Sequence, residues 1–185
     1  MTAAALESAL TAPPLRPLPG TAAELLRAVD APAGLGAHQR VVHDVAWSLT
    51  DALGRRRPDL EFDTTAVLFG AATHDIGKVV HPGELTGPGS AHEAAGEELL
   101  LRYGVPAHLA RFAGSHGSCW TRPSATLDEL LVSLADQIGT GNRVPDLENR
   151  VTEATGHLTD VLDALAAGAS QRLAFQLSYP LPEGG

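Results

Sequence analysis

A carboxylate at the end of the chain's most apolar run needs a partner. His74-Asp75 closes the run Thr65-Ala-Val-Leu-Phe-Gly-Ala-Ala-Thr73. An ionised Asp carried into such surroundings costs several kcal/mol unless it is paired or bound to a cation. Adjacent residues on a regular helix point about 100° apart. Two adjacent ligands therefore converge where the helix ends, or where the carboxylate bridges two ions. Gly77 lets the helix stop there, and Lys78 follows within reach of any anion bound at the site. The alternative is structural: His74 caps the helix C-terminus and Asp75 pairs with an Arg.

Other candidate ligands recur along the chain, each near an element end or inside an apolar helix. His38 lies upstream in His-Gln-Arg-Val, and downstream come His92, His116 in Gly-Ser-His-Gly, and Asp136 in Leu-Ala-Asp-Gln-Ile-Gly. The ordered string His38, His74-Asp75, His92, His116, Asp136 resembles the metal-site signature of the HD-domain superfamily of metal-dependent phosphohydrolases. The segments HQRV, THDIGK, AHEAAGEELL, GSHG and SLADQIGTGNR all look like blocks of that family, and HDIG is the hallmark of one of its subgroups. The resemblance covers residues 38–143.

The resemblance implies an all-α bundle of five or more core helices around a buried metal centre. His38, His74, Asp75 and Asp136 would hold one divalent cation. His92 and His116 match the histidines that accompany a second, with Asp75 as the bridge. Imidazole and carboxylate without thiolate suit Fe, Mn, Co, Ni, Zn or Mg and select poorly among them; the expected pair of ions is Fe or Mn, with Co, Ni, Zn or Mg as alternatives. Such ions generate hydroxide near neutral pH, and a pair can hold phosphoryl oxygens for in-line attack on phosphorus. Besides Asp75, Lys78 is the catalytic candidate, neutralising phosphate charge as it develops. Arg143 is a further cationic contact, and His81 is the loop candidate for a substrate contact or proton donor. The substrate class implied is a small phosphate ester, a nucleotide or a phosphodiester. The segment after HDIGK reads VVHPGEL, which departs from the Gly-Tyr-Pro motif of cyclic-di-GMP phosphodiesterases. An oxygenase branch of the superfamily uses a similar six-ligand di-iron site to cleave C–P or C–C bonds. A non-catalytic interaction module is the remaining alternative, and the intact ligand string argues against it.

The elements that must position these residues all read as helices. Residues 1–20, rich in Ala and Pro, read as a flexible arm. A single domain spans 21–178, and 179–185 should fray. Thr21 and Glu24 fit a capping box before a short helix at 25–29. Gly34 and Gly36 break the chain before a helix at 37–53, with Val41, Val45, Leu49 and Leu53 as its apolar stripe. Asp63 caps the buried third helix. Residues 79–89, with Pro82 and Pro88 among several glycines, form a loop. Ser90 caps 91–103, Pro106 opens 106–113, and Thr126 opens 127–138. Residues 146–177 are amphipathic, with a break near Gly156 or Gly168. His43, His108 and His157 read as surface or packing histidines, and Arg40 as the partner of a buried carboxylate.

Composition narrows the function classes. An apolar fraction of 44% with 19% charged residues is that of a folded chain. One cysteine excludes a disulfide framework or a Cys-rich zinc knuckle. A net charge of −9 makes nucleic-acid polymers and anionic membranes poor partners. It still admits a small phosphorylated substrate, because bound cations and Lys78 set the local field. With no basic leader or long apolar span, the expected location is the cytoplasm.

Overall fold

The computed structural model describes residues 2–156, 158–179 and 181. Residue 157 and, from the tail expected to fray, residues 180 and 182–185 lie outside them. Among the described residues there is no strand, and ten α-helices follow one another. They are α1 (Thr2–Thr11), α2 (Gly20–Ala28), α3 (Ala33–Arg56), α4 (Thr64–Thr73), α5 (Ala91–Arg102), α6 (Ala107–Ala110), α7 (Leu127–Gly139), α8 (Pro145–Thr155), α9 (Thr159–Ala167) and α10 (Ala169–Leu177). Short 3-10 turns occupy Ile76–Val79, Pro82–Leu85 and Cys119–Thr121. No helix is long and apolar enough to cross a membrane, among the described residues.

The centre is the triangle of α3, α4 and α7. Val42, Val45, Leu49 and Leu53 of α3 pack with Val67 and Ala71 of α4 and Leu131, Leu134 and Ile138 of α7. Burial on this scale is the main stabilising force, at about 25 cal/mol per Å² of apolar surface. Two caps read from sequence form as expected. The Asp63 side chain accepts from the Ala66 backbone N–H, and Thr126 with Glu129 makes a capping box on α7. These caps fix where α4, which leads into Asp75, and α7, which carries Asp136, begin.

Four sequence expectations are corrected. The N-terminal arm is not loose: α1 packs on α3 and buries Leu6, Ala9 and Leu10. Its anchor is Arg40, fully buried, which donates to the carbonyls of Ala9 at 2.8 Å, Arg16 at 3.1 Å and Leu15. Arg40 therefore pairs with backbone carbonyls, not with a carboxylate. Gly34 and Gly36 do not break the chain but lie inside α3, where a Cβ would meet the Tyr179 carbonyl at 2.6 Å and the Leu6 side chain at 3.0 Å. Thr21 and Glu24 form no capping box, because α2 starts after Pro19 without a side-chain cap.

The segment beyond residue 143 closes the bundle. Leu147 and Val151 of α8 and Leu162 and Leu165 of α9 join the central core. Breaks fall at both Gly156 and Gly168.

Candidate metal centre

Five elements deliver the six histidines and carboxylates to one place. His38 comes from α3, Asp136 from the last turn of α7, and His92 from the first turn of α5. His116 comes from the turns after α6. Its carbonyl accepts from Ser133 Oγ of α7 at 2.6 Å. His74 and Asp75 follow α4 directly, where the helix stops and tightens into the 3-10 turn.

That helix break is held from outside. Gln39, fully buried beside His38, places its amide nitrogen 2.8 Å from the Ala72 carbonyl and its oxygen 3.2 Å from the Ile76 N–H. It thereby satisfies two backbone groups that the broken helix leaves without partners. Gly77 has a different role from the one read in sequence. A Cβ there would lie 1.9 Å from the His92 carbonyl oxygen and 2.5 Å from the Gly96 nitrogen. Its lack of a side chain lets the Asp75 turn pack directly on α5, which carries His92.

Asp75 is the hub. Its Oδ2 lies 3.3 Å from His38 Nε2 and 3.6 Å from His74 Nε2. Its Oδ1 lies 3.1 Å from His92 Nε2 and 3.3 Å from His116 Nε2. Asp136 Oδ1 is 3.5 Å from both His38 Nε2 and His74 Nε2. The two carboxylate oxygens of Asp75 thus face two different pairs of histidines. His38, His74 and Asp136 form one group able to hold an ion, and His74, Asp75 and His116 form another.

The tautomers follow from the outer contacts. Nδ1 of His74 donates to the Ala71 carbonyl at 3.0 Å, and Nδ1 of His116 to the Ala113 carbonyl at 3.2 Å. Nδ1 of His92 donates to Glu84 Oε2 at 2.6 Å. In each neutral ring Nε2 is then a bare lone pair. Lone pairs directed at carboxylate oxygens repel unless a proton or a metal ion lies between them. His92 Nε2 and Asp75 Oδ1 are close, but neither is hydrogen-bonded to anything, although both are buried. Bonds of about 2.1 Å from one ion to N and O ligands set neighbouring ligand atoms about 3.0–3.4 Å apart. Three of the observed separations, at 3.1–3.3 Å, fall within that spacing, and the others, at 3.5–3.6 Å, lie within 0.2 Å of it.

The electrostatics agree. Burial opposes charge on His38, yet Asp136 and Asp75 push its pKa up to about 9. Burial likewise opposes charging of His92 and His116, and Asp75 outweighs it at both, joined by Glu84 at His92. For the fully enclosed His74 burial wins and the pKa falls. Burial would raise Asp75 and Asp136, but the surrounding rings hold both well below the usual carboxylate range. The site is built to keep its carboxylates ionised and to collect positive charge.

Of the three further candidates, Lys78 lines the cavity at this site, with Nζ bound to Asp75 Oδ2 at 2.6 Å. Arg143 does not reach the cavity. It makes a two-pronged pair with Glu148 at 2.6 and 2.8 Å and touches Asp163 at 3.3 Å, because the turn through Gly141 directs Asn142 to the cavity and Arg143 to α8 and α9. His81 lines neither cavity beside the site; it lies between two 3-10 turns, and the second of them carries Glu84, which contacts the His92 ring. Sequence reading missed Glu84. It accepts from the backbone N–H groups of Ala91 and His92, taking the capping role expected of Ser90, and it orients the His92 ring. Loop composition gave no signal for it. Gln39 was visible only as the neighbour of His38.

Comparison with known families decides the relationship. The HD domain family model matches residues 36–141, more than half of the chain and the stretch that carries all six clustered residues. The chain belongs to the HD domain family. HD domains bind divalent metals and are mostly metal-dependent phosphohydrolases, and the His/Asp clusters described above are where this HD domain can hold metal. No curated protein and no solved structure matches the chain.

Proposed function

We propose that this HD domain is a metal-dependent hydrolase of a small phosphate ester. One observation carries the reading: the bare Nε2 atoms of His74, His92 and His116 gather with His38 around both oxygens of a buried Asp75. His38, His74 and Asp136 would hold one ion and His92 and His116 a second, with Asp75 shared. A divalent metal held there would supply hydroxide near neutral pH and neutralise phosphoryl charge. The protein's own groups do the rest. Glu84 and the carbonyls of Ala71 and Ala113 fix the ring tautomers. Lys78 adds a cation beside Asp75 where phosphate charge develops.

The reaction is a displacement at phosphorus. The oxygen of water bonds to phosphorus, the ester P–O bond breaks, and the proton released from water ends on the departing alcohol oxygen. Elemental analysis of protein purified without chelator should find one to two equivalents of divalent metal. The same sample should release phosphate from a panel of phosphate esters. Metal-free protein that cannot be loaded would overturn the reading. Oxygen consumption by the iron-loaded protein without phosphate release would replace it with the oxygenase chemistry known in the superfamily.

A further inference from the structure

Two cavities meet at His38, Asp75, Lys78 and Thr140. The smaller, about 190 Å³, is walled by Leu35, Leu85 and Leu181. The larger, about 420 Å³, opens past Glu93, Ser118, Gln137 and Asn142. Histidines apart, no described residue lining either cavity is aromatic. The platform on which a nucleobase stacks is therefore missing from both walls.

Glu93 gives the larger cavity its chemistry. The site of a Cβ on Gly117 lies 2.7 Å from Glu93 Oε1, so the carboxylate rests against the turn that carries His116. It makes no hydrogen bond or ion pair with any described residue, and neither does the Gln137 side chain beside it in the cavity wall. Lys78 is the one Lys or Arg among the lining residues, and it is bound to Asp75. A second phosphate on the substrate would face Glu93 with no guanidinium to receive it. A carboxylate and an amide without protein partners suit a ligand that brings its own donors.

We propose that, given the hydrolase reading above, the substrate is a compact, non-aromatic phosphate monoester whose alcohol portion carries ammonium or hydroxyl donors received by Glu93 and Gln137. Phosphate sits at the histidine–aspartate cluster beside Lys78, and the donor-bearing end points into the larger cavity. Glu93 then sets specificity, because a substrate without donors leaves its carboxylate without a hydrogen-bond partner.

The test compares phosphoethanolamine, glycerol 2-phosphate, butyl phosphate and AMP with manganese-loaded protein. The first two should exceed butyl phosphate in kcat/KM by at least about tenfold, and AMP should trail them. Which of the two leads tells ammonium from hydroxyl recognition. Glu93→Gln should collapse the ratio of phosphoethanolamine to butyl phosphate, mainly through KM, with the melting temperature unchanged. Gly117→Ala, which crowds the same carboxylate, should lower the ratio too. AMP as the best substrate, or a ratio unmoved by Glu93→Gln, would overturn the inference while hydrolysis stands. If no ester is turned over, the hydrolase reading fails on its own. Calorimetric binding of the same four compounds then decides the inference: tighter binding of the donor-bearing pair that is lost in Glu93→Gln supports it, and any other ranking overturns it.

Discussion

His38 and His43 lie on the same helix, five residues apart, and are buried to 8% and 4% exposure. Their positions differ by about 140° around α3, and that rotation reverses their chemistry. His38 faces Asp75 and Asp136, and its pKa is pushed up to about 9. His43 is out of reach of both carboxylates and has Nδ1 unpartnered, and burial, only partly offset by Asp44 and reinforced by Arg16 and Arg40, pushes its pKa down to about 4. Burial weakens the charged form at both positions. Between these two rings, opposite charge within reach decides which one collects a proton. Depth alone therefore does not mark a functional histidine.

The sharpest way to break the contrast is to remove the charge that creates it. Asp75→Asn keeps the shape but takes away the carboxylate that both pairs of histidines share. Metal content should fall to background, and turnover should drop by more than the roughly 10–100-fold that losing an outer partner costs. Elemental analysis and phosphate release measure both.

Glu84→Ala probes the same site one contact further out. The His92 ring loses its orienting carboxylate and α5 loses its cap. Metal affinity should weaken about 10–100-fold, read by competition with a chromophoric chelator. Helix stability should fall by about 1 kcal/mol.

His43 supplies the opposite arm, with a stated sign. Its folded pKa of about 4 lies below its ordinary value of 6.5, so the unfolded chain takes up the proton first. The stability from burying the neutral ring is whole above about pH 6.5 and is lost as pH falls through 4. A gap of this size corresponds to about 3 kcal/mol at most. Denaturant unfolding at a series of pH values should show His43→Gln with a flatter acid limb than the parent chain. An unchanged limb would mean that His43 finds a proton partner in the folded state.

The smallest effect belongs to Arg143, the cation that the sequence placed at the site and the fold turned away. Its pairs with Glu148 and Asp163 are exposed, and such pairs contribute about 0.2–1 kcal/mol. Arg143→Ala should lower the melting temperature slightly and leave kcat/KM for any phosphate ester within experimental scatter.

The all-helical fold, the central helices and the cluster of His38, His74, Asp75, His92, His116 and Asp136 were legible because each has a local signature. Apolar periodicity marks α3, Asp63 and Thr126 announce α4 and α7, and the six residues stand in a recognisable order. Arg40 and Gln39 were not legible in their roles. A guanidinium meeting carbonyls in residues 9–16, or an amide bridging Ala72 and Ile76, depends on which segments pack together, and no local pattern encodes that. The same holds for Glu84, which lies in a loop whose course the residues between Val79 and Ser90 do not reveal.

By itself, the sequence determined the residue types that can bind a cation and the helices that carry them, because helix periodicity and capping act over a few neighbouring positions. Tertiary structure alone decided which histidine meets a carboxylate, which cation reaches the cavity and which glycine is a point of close contact. Those outcomes rest on separations of about 3 Å between segments tens of residues apart, and burial makes each of them energetically decisive.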